Sequence, residues 1–455
     1  MKSDQSQKLT LEDGARIGVI GGGPSGSFFA YFAMELAKRF DLDINVDIIE
    51  AKDFKQCGAS GCNHCGGIVS ESLIQLLSAE GIVLPSEVIQ QGIESYTLHL
   101  EQGSSVITAP FNEQRIAALF RGGGPKGCTD GAEASFDNHL LKLCESKGAS
   151  IIYDRVIDAK RIEDGVIIKT KDGIEKEYDL VVGAVGLNKK TFDLFHELCP
   201  DFVVPKTTKT FITEIKLEEN QVAEYFGDSM HVFLLNLPNI KFGALIPKQD
   251  YVTLVLLGED INRSVVQRFL DSDAVKNCFP PNLDFESVVA CQCYPFINVK
   301  GAKLAHADRV VLVGDSSTSK LYKNGIGAAY VTAKAAANTV IFHGISEKHF
   351  RKYFQPACDK LHNDNRLGKF IFTITTIIQK SVILKAAMLR IVVKEQKMAR
   401  EKRLLSSILW DTFTGSAPYN SIFFRFLHPR VLVSFIWYII VSLFSNNKIG
   451  HNEIS

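Results

Sequence analysis

The stretch from Arg16 to Glu50, RIGVIGGGPSGSFFAYFAMELAKRFDLDINVDIIE, decides the fold. An apolar strand is expected over Ile17 to Ile20, followed by a glycine turn, a helix from Pro24 to Phe40, and a second strand from Val46 to Ile49 that ends in an acid, Glu50. Gly21, Gly23 and Gly26 fit G-x-G-x-x-G. The first permits the tight turn, the second lets the backbone approach a pyrophosphate, and the third lets helix and strand pack closely. The free N–H groups and partial positive charge at the helix N-terminus suit phosphates. Glu50, 24 residues after Gly26, stands where an acid takes ribose hydroxyls. A glycine pattern alone is weak evidence, but strand, helix and acid in register point to a dinucleotide-binding βαβ unit.

The chain has 455 residues, 46% hydrophobic and 22% charged, enough to bury a large core in two or three structural units. Lys+Arg and Asp+Glu are both 51, which excludes a generally basic nucleic-acid binder, so no nucleic-acid partner is expected. That balance conceals one basic segment. Arg366 to Arg403 carries ten Lys/Arg against Glu395 and Glu401, a net +8, so the remainder carries −8. No apolar signal region precedes the first strand, so a cytoplasmic location is expected, with the ten cysteines in a reducing compartment.

Far downstream, Arg309 to Ala337 reads RVVLVGDSSTSKLYKNGIGAAYVTAKAAA. A strand ends in Gly314-Asp315, and Gly325-Ile326-Gly327 opens a helix of small residues. The Asp315 carboxylate suits a polyol such as the ribitol of a flavin, and the glycine-bearing helix start suits the electron-rich edge of an isoalloxazine.

These two ends together resemble the flavin-dependent group that contains geranylgeranyl reductases, aromatic hydroxylases and flavin halogenases. Cys65-Gly66-Gly67-Ile68 followed by SESLIQLL looks like the C-G-G-G segment of geranylgeranyl reductases. The resemblance implies FAD as cofactor, with Gly66 and Gly67 along it and Cys65 beside the reacting ring. SFDNHLLKLCESKGASIIYDRVIDA (135–159) looks like the group's adenine-bordering helix and strand, which implies a backbone contact from Val156. There are departures. Val185 stands where the group has an Asp, Lys323-Asn324 where it has a proline, and Glu133 where it has an arginine, a role open to Arg121. No second G-x-G-x-x-G on a strand is evident, since Arg121 to Pro125 shows no preceding strand. The reductant is therefore expected to be a transiently bound NAD(P)H or an electron-transfer protein.

Cys57, Cys62 and Cys65 have the spacing C-x4-C-x2-C. With Cys128 as a fourth ligand they would suit a [2Fe–2S] cluster, and with His64 a zinc ion. The expected arrangement has no metal: Cys57 and Cys62 pack, and Cys65 alone faces the cofactor. There its thiol would either donate a proton during alkene reduction or present a soft, uncharged wall.

The expected class is α/β (α+β). A discontinuous FAD domain is drawn from 14–84, 111–190 and 300–345. Short runs of period two, such as SYTLHL and TFITEIKL, give a largely antiparallel sheet domain from 85–110 and 191–299 that covers the flavin. His231, Cys291, Cys293 and Tyr294 are read there as packed sheet residues. A helical region, 346–455, carries the basic segment and VLVSFIWYIIVSLF (431–444), which is short for a membrane span. A re-entrant or in-plane helix is expected, with 366–444 on a membrane surface. The combined expectation is a peripheral or monotopic FAD enzyme at the cytoplasmic membrane that saturates double bonds of an isoprenoid or related lipid. A flavin monooxygenase of a lipid or quinone, and a flavoprotein electron carrier with an iron–sulfur cluster, are the alternatives.

Overall fold

The computed structural model describes residues 9–56, 58–110, 115–129 and 133–444. It contains two compact units, each assembled from three stretches of chain: 1–63, 130–207 and 297–363 in the first, and 64–129, 208–296 and 364–455 in the second.

The first unit is a doubly wound sheet. Its strand order is His306–Ala307, Val310–Leu312, Leu180–Gly183, Ala15–Ile20, Ile44–Ile49, Ser150–Ile152. All pairs are parallel except the short edge strand His306–Ala307. Parallel strands need covering on both faces, and these are almost wholly apolar: Ile17, Val19, Ile48, Val181 and Val311 are buried. One face takes the helix Pro24–Arg39 and the helix Gly325–Phe342. Over the other lies an antiparallel three-stranded sheet, Glu175–Tyr178, Val166–Thr170 and Val156–Arg161. Gly18 permits that layer, since a Cβ there would come within 2.9 Å of the Tyr178 ring.

The second unit is built on a seven-stranded sheet ordered Val289–Cys293, Phe211–Lys216, Tyr251–Gly258, Ile240–Lys248, Ser229–Phe233, Ser95–Leu100, Gly103–Thr108. It is antiparallel save for Ser95–Leu100 beside Ser229–Phe233, which run parallel. One face buries Ile215, Leu245, Val252 and Leu254 with Phe269 and Phe279 from the helical segments that follow. The opposite face receives the C-terminal helices. Trp410, fully buried, stacks on Tyr96 at 5.6 Å, and Phe242 stacks on Phe372 at 6.0 Å. Burying one such ring contributes about 2–3 kcal/mol, so these helices belong to the core of the unit.

The division differs from the expected boundaries. Ile68–Ser70 and Ile89–Ile93 both pair with Ile116–Leu119 in a small antiparallel sheet, which carries 64–84 and 115–129 into the second unit. Residues 191–207 join the first unit, because the helix Lys189–Leu198 packs on Val156–Arg161. The region 346–455 is split between both units.

Candidate functional site

In the first unit the strand, glycine turn and helix fall where the sequence places them. Gly21 has φ +106° and a Cβ there would lie 2.4 Å from the Ala184 carbonyl oxygen. At Gly26 it would lie 1.9 Å from the Gly21 carbonyl oxygen, the close crossing that the third glycine allows. The helix Pro24–Arg39 starts from Gly23 with no side-chain cap and with Pro24 in its first turn, leaving the dipole end to backbone N–H groups. Glu50 accepts hydrogen bonds from the N–H of Gly22 at 2.7 Å and of Lys52 at 2.8 Å. Burial pushes its carboxyl up, against the pull of those donors and of the Lys52 cation.

The second glycine turn comes to the same place. Val310–Leu312 runs into the turn Gly314–Ser316, and a Cβ on Gly314 would lie 1.8 Å from Ser25 Oγ. The ring of Tyr330 sits edge-on to Phe28 at 6.0 Å, so the two helices that start at the two glycine turns pack together. Asp315 stands in the turn, its carbonyl accepting from Asn298 Nδ2 at 3.1 Å. Asn324, in the left-handed conformation at φ 54°, caps Gly325–Phe342 through its Oδ1, which accepts the Gly327 N–H at 3.0 Å. This explains the departure at Lys323-Asn324: an asparagine cap replaces a proline start. Val185 packs beside the cluster of Ile20, Phe192 and Leu312, so an apolar residue suits the position where an Asp was looked for. Val156 begins its strand and is buried against the same cluster.

Sequence reasoning missed three polar residues here. Asn63 Nδ2 donates to Asp137 Oδ1 at 2.6 Å and lies 3.4 Å from where a Gly23 Cβ would stand. Lys52 Nζ donates to the Cys62 carbonyl at 2.6 Å. Asn63 belongs to the same cysteine-rich stretch that drew attention for its thiols, and it is the amide that reaches the glycine turn. Cys62 and Cys65 form no disulfide among the described residues, and Cys57 lies outside them.

In the second unit the Cys65-Gly66-Gly67 segment is set by steric need. A Cβ on Gly66 would press on Val255 and Ile246 at 3.0 and 3.2 Å, and one on Gly67, at φ +76°, would meet the Leu119 carbonyl at 2.4 Å. The Gly67 N–H points at Cys65 Sγ, 3.4 Å away. Arg121 is buried beside Gly67. Contrary to expectation, a strand, Ile116–Leu119, does precede Arg121, and a six-residue helix, Gly124–Thr129, follows. The strand pairs antiparallel on both sides, so this glycine turn is not a second dinucleotide βαβ unit.

The sheet face that carries Val255 and Ile246 also carries an unforeseen polar cluster, because cross-strand partners share a face. Glu214 Oε1 lies 3.7 Å from Lys248 Nζ, and the Cys291 thiol donates to Glu214 Oε2 at 3.8 Å. Lys248 is 1% exposed and Glu214 8%. Burial pushes the Glu214 carboxyl up, and Lys248 opposes it. Gly124 is forced by the same carboxylate, since its Cβ would overlap Glu214 Oε2.

Most of the basic segment is exposed, with Arg366, Lys369, Lys380, Lys394, Lys397, Arg400 and Lys402 outward, but two of its cations are turned to the body of the unit. Lys385 is buried and ion-paired with Glu101, and Arg403 Nη1 donates to Thr108 Oγ1 at 2.7 Å. An apolar surface lies on the last two helices, Tyr419–Phe426 and Pro429–Phe444, where Phe424, Val433, Ile436 and Trp437 are each 60% exposed or more. Among the described residues no single helix is long and apolar enough to cross a membrane. These two, bent by 60° at a short break, pass that test together by length and composition. Beside them an apolar cleft of about 560 Å³, mouth included, is lined by Ile374, Ile378, Leu409, Phe423, Phe426 and Phe435 among others.

No family model and no curated protein matches the chain. The fold, a doubly wound nucleotide sheet with a separate antiparallel sheet, is similar to that of several solved structures. Similar solved structures include a geranylgeranyl bacteriochlorophyll reductase-like protein from Thermoplasma acidophilum, at 15% identity and TM-score 0.62, covering 94% of this chain and 100% of that one. A flavoprotein/dehydrogenase from Cytophaga hutchinsonii is 13% identical with TM-score 0.61, covering 95% and 100%. A probable FAD-dependent monooxygenase from Pseudomonas aeruginosa is 12% identical with TM-score 0.55, covering 81% and 97%.

Proposed function

We propose that this protein binds FAD and reduces carbon–carbon double bonds of an isoprenoid or related lipid at a membrane surface. The observation that carries the cofactor is the meeting of two glycine turns at Ser25 and Gly314. Positions where a Cβ would fill the turn, an uncapped helix start and a carboxylate within that turn fit a dinucleotide. Gly21, Gly23, Gly26 and Glu50 would hold the adenosine diphosphate half, with Val156 at the adenine. Asp315 would take the ribitol, and Gly325, Ile326 and Gly327 the ring edge. In the second unit, the resemblance of the Cys65-Gly66-Gly67 segment would give Gly66, Gly67 and Arg121 to the flavin and Cys65 to the substrate.

FAD, when bound, supplies a hydride to one alkene carbon; the protein must shape the pocket and direct a proton to the other. Cys65 would give that pocket a soft, uncharged wall. The lipid reading is supported by the exposed apolar helices and the apolar cleft beside them. The reductant would be a transiently bound nicotinamide or a small electron-transfer protein. The test is extraction of the purified protein for flavin and co-purifying lipid by mass, followed by anaerobic turnover of that lipid with a chemical reductant. Mass gain of two hydrogens per turnover is expected. Oxygen consumption matched by insertion of an oxygen atom would replace this reading with a monooxygenase.

A further inference from the structure

Three ligand-type side chains meet in the second unit, apart from every residue assigned above. His99 comes from Ser95–Leu100, and His231 from the parallel neighbour Ser229–Phe233. Cys278 follows the short helix Asp273–Lys276. His99 Nε2 lies 3.2 Å from His231 Nδ1, His231 Nδ1 lies 3.3 Å from Cys278 Sγ, and Cys278 Sγ lies 3.8 Å from His99 Nε2. All three are buried, with exposures of 8%, 7% and 4%.

From this geometry we propose that His99, His231 and Cys278 bind one thiophilic closed-shell metal ion, Cu+ in preference to Zn2+.

The three ligand atoms converge on one another. His231 Nδ1 carries either one proton or one lone pair, yet it faces both other ligand atoms. The Cys278 thiol already has an acceptor in the Ala274 carbonyl at 3.2 Å. Two imidazole nitrogens and a thiol sulfur all within 4.8 Å of one another form a set that a shared ion fits. Ligands bound at about 2.0–2.3 Å in a trigonal or tetrahedral arrangement are separated by roughly 3.3–3.8 Å, close to the three separations found.

The surroundings choose between ions. Phe233 stacks on His99 with centroids 4.5 Å apart, and Phe226 lies 4.9 Å from the His231 ring. In such an apolar shell a net charge is costly. Two neutral imidazoles, one thiolate and Cu+ sum to zero, whereas Zn2+ would leave a buried positive charge and would want a fourth ligand. On binding, the Cys278 S–H bond is exchanged for a sulfur–metal bond and the proton leaves to solvent. The bound ion would tie the turn after Asp273–Lys276 to two strands of the sheet.

The test uses the full chain with its flavin, kept anaerobic and titrated with Cu+ against a chromogenic copper chelator, with Zn2+ in a parallel arm. About one Cu+ per chain should be withdrawn from the chelator, with a thiolate-to-copper charge-transfer band. Cys278→Ala and His231→Gln should each weaken capture by about tenfold or more, as loss of a ligand does, with flavin content unchanged. X-ray absorption of the copper-loaded wild type should report one sulfur and two nitrogen neighbours, a readout that does not depend on the variants folding. Failure of the wild type to take up copper, capture undiminished in both variants, or a preference for Zn2+ would each overturn the proposal.

Discussion

Gly314 lies so close to Ser25 that any side chain on the glycine would overlap the serine hydroxyl, at 1.8 Å from a Cβ to Oγ. Ser25 lies just after the first glycine turn and Gly314 opens the second, nearly 290 positions apart in the chain. Gly314→Ala should therefore expel flavin and lower stability by about 3 kcal/mol, through the clash and the left-handed backbone at φ +65°. Adding Ser25→Gly should recover the clash portion and leave a backbone cost of about 1–2 kcal/mol. Bound flavin and thermal melts of the two variants check this.

Cys65→Ala should retain flavin and slow double-bond reduction by less than about tenfold, because a wall of similar shape remains. A loss of roughly a hundredfold or more, restored in part by Cys65→Ser, would instead assign the proton to this thiol. Single-turnover rates with prereduced protein make the distinction.

Lys248→Met should cost about 3–5 kcal/mol, since it leaves the Glu214 carboxylate buried without its cation. Combining it with Glu214→Gln should return much of that loss, and denaturant melts of the four proteins give the coupling.

Replacing both Ile436 and Trp437, each 60% exposed, by Asp should weaken binding to anionic vesicles by about a hundredfold while leaving the melting temperature within a few degrees. Vesicle flotation reads the effect. Equal flotation of both proteins would remove the last helix from the membrane contact.

Metal-free protein should lose stability as pH falls from about 6.5 towards 4. The His231 ring is held to about 4 by burial, so across that window the unfolded chain binds the proton and the native one does not. The full effect is about 3 kcal/mol. His306 is lowered in the same direction and adds to it. His231→Gln should flatten the His231 part of the slope in melts taken across this range.

The nucleotide turn was legible because its constraints are local: glycines where a Cβ would strike backbone, an apolar strand on each side, an acid at the strand end. The expected strands and helix match those found to within two residues at either end. What was not legible depends on partners distant in sequence. Ile68–Ser70 reads as a continuation of the nucleotide domain until Ile116–Leu119 claims it by pairing. Lys385 reads as one cation in a solvated stripe, yet its partner, Glu101, stands 284 positions earlier. Asn324 looked like a missing proline and serves as a helix cap. His99, His231 and Cys278 have no motif spacing, so only the pairing of two strands and a following turn brings them together.

Each unit is threaded from three separated stretches, and this orders events at the ribosome. The nucleotide unit has all its strands once Asn363 has emerged, while the sheet unit waits for roughly 80 further residues before the helix ending at Phe444 can bury its own Val431 and Phe435. At about 5–20 residues per second that is an interval of several seconds. For that time a half-covered sheet is exposed to chaperones and aggregation, so slowing translation downstream of Asn363 should cost yield rather than activity per molecule.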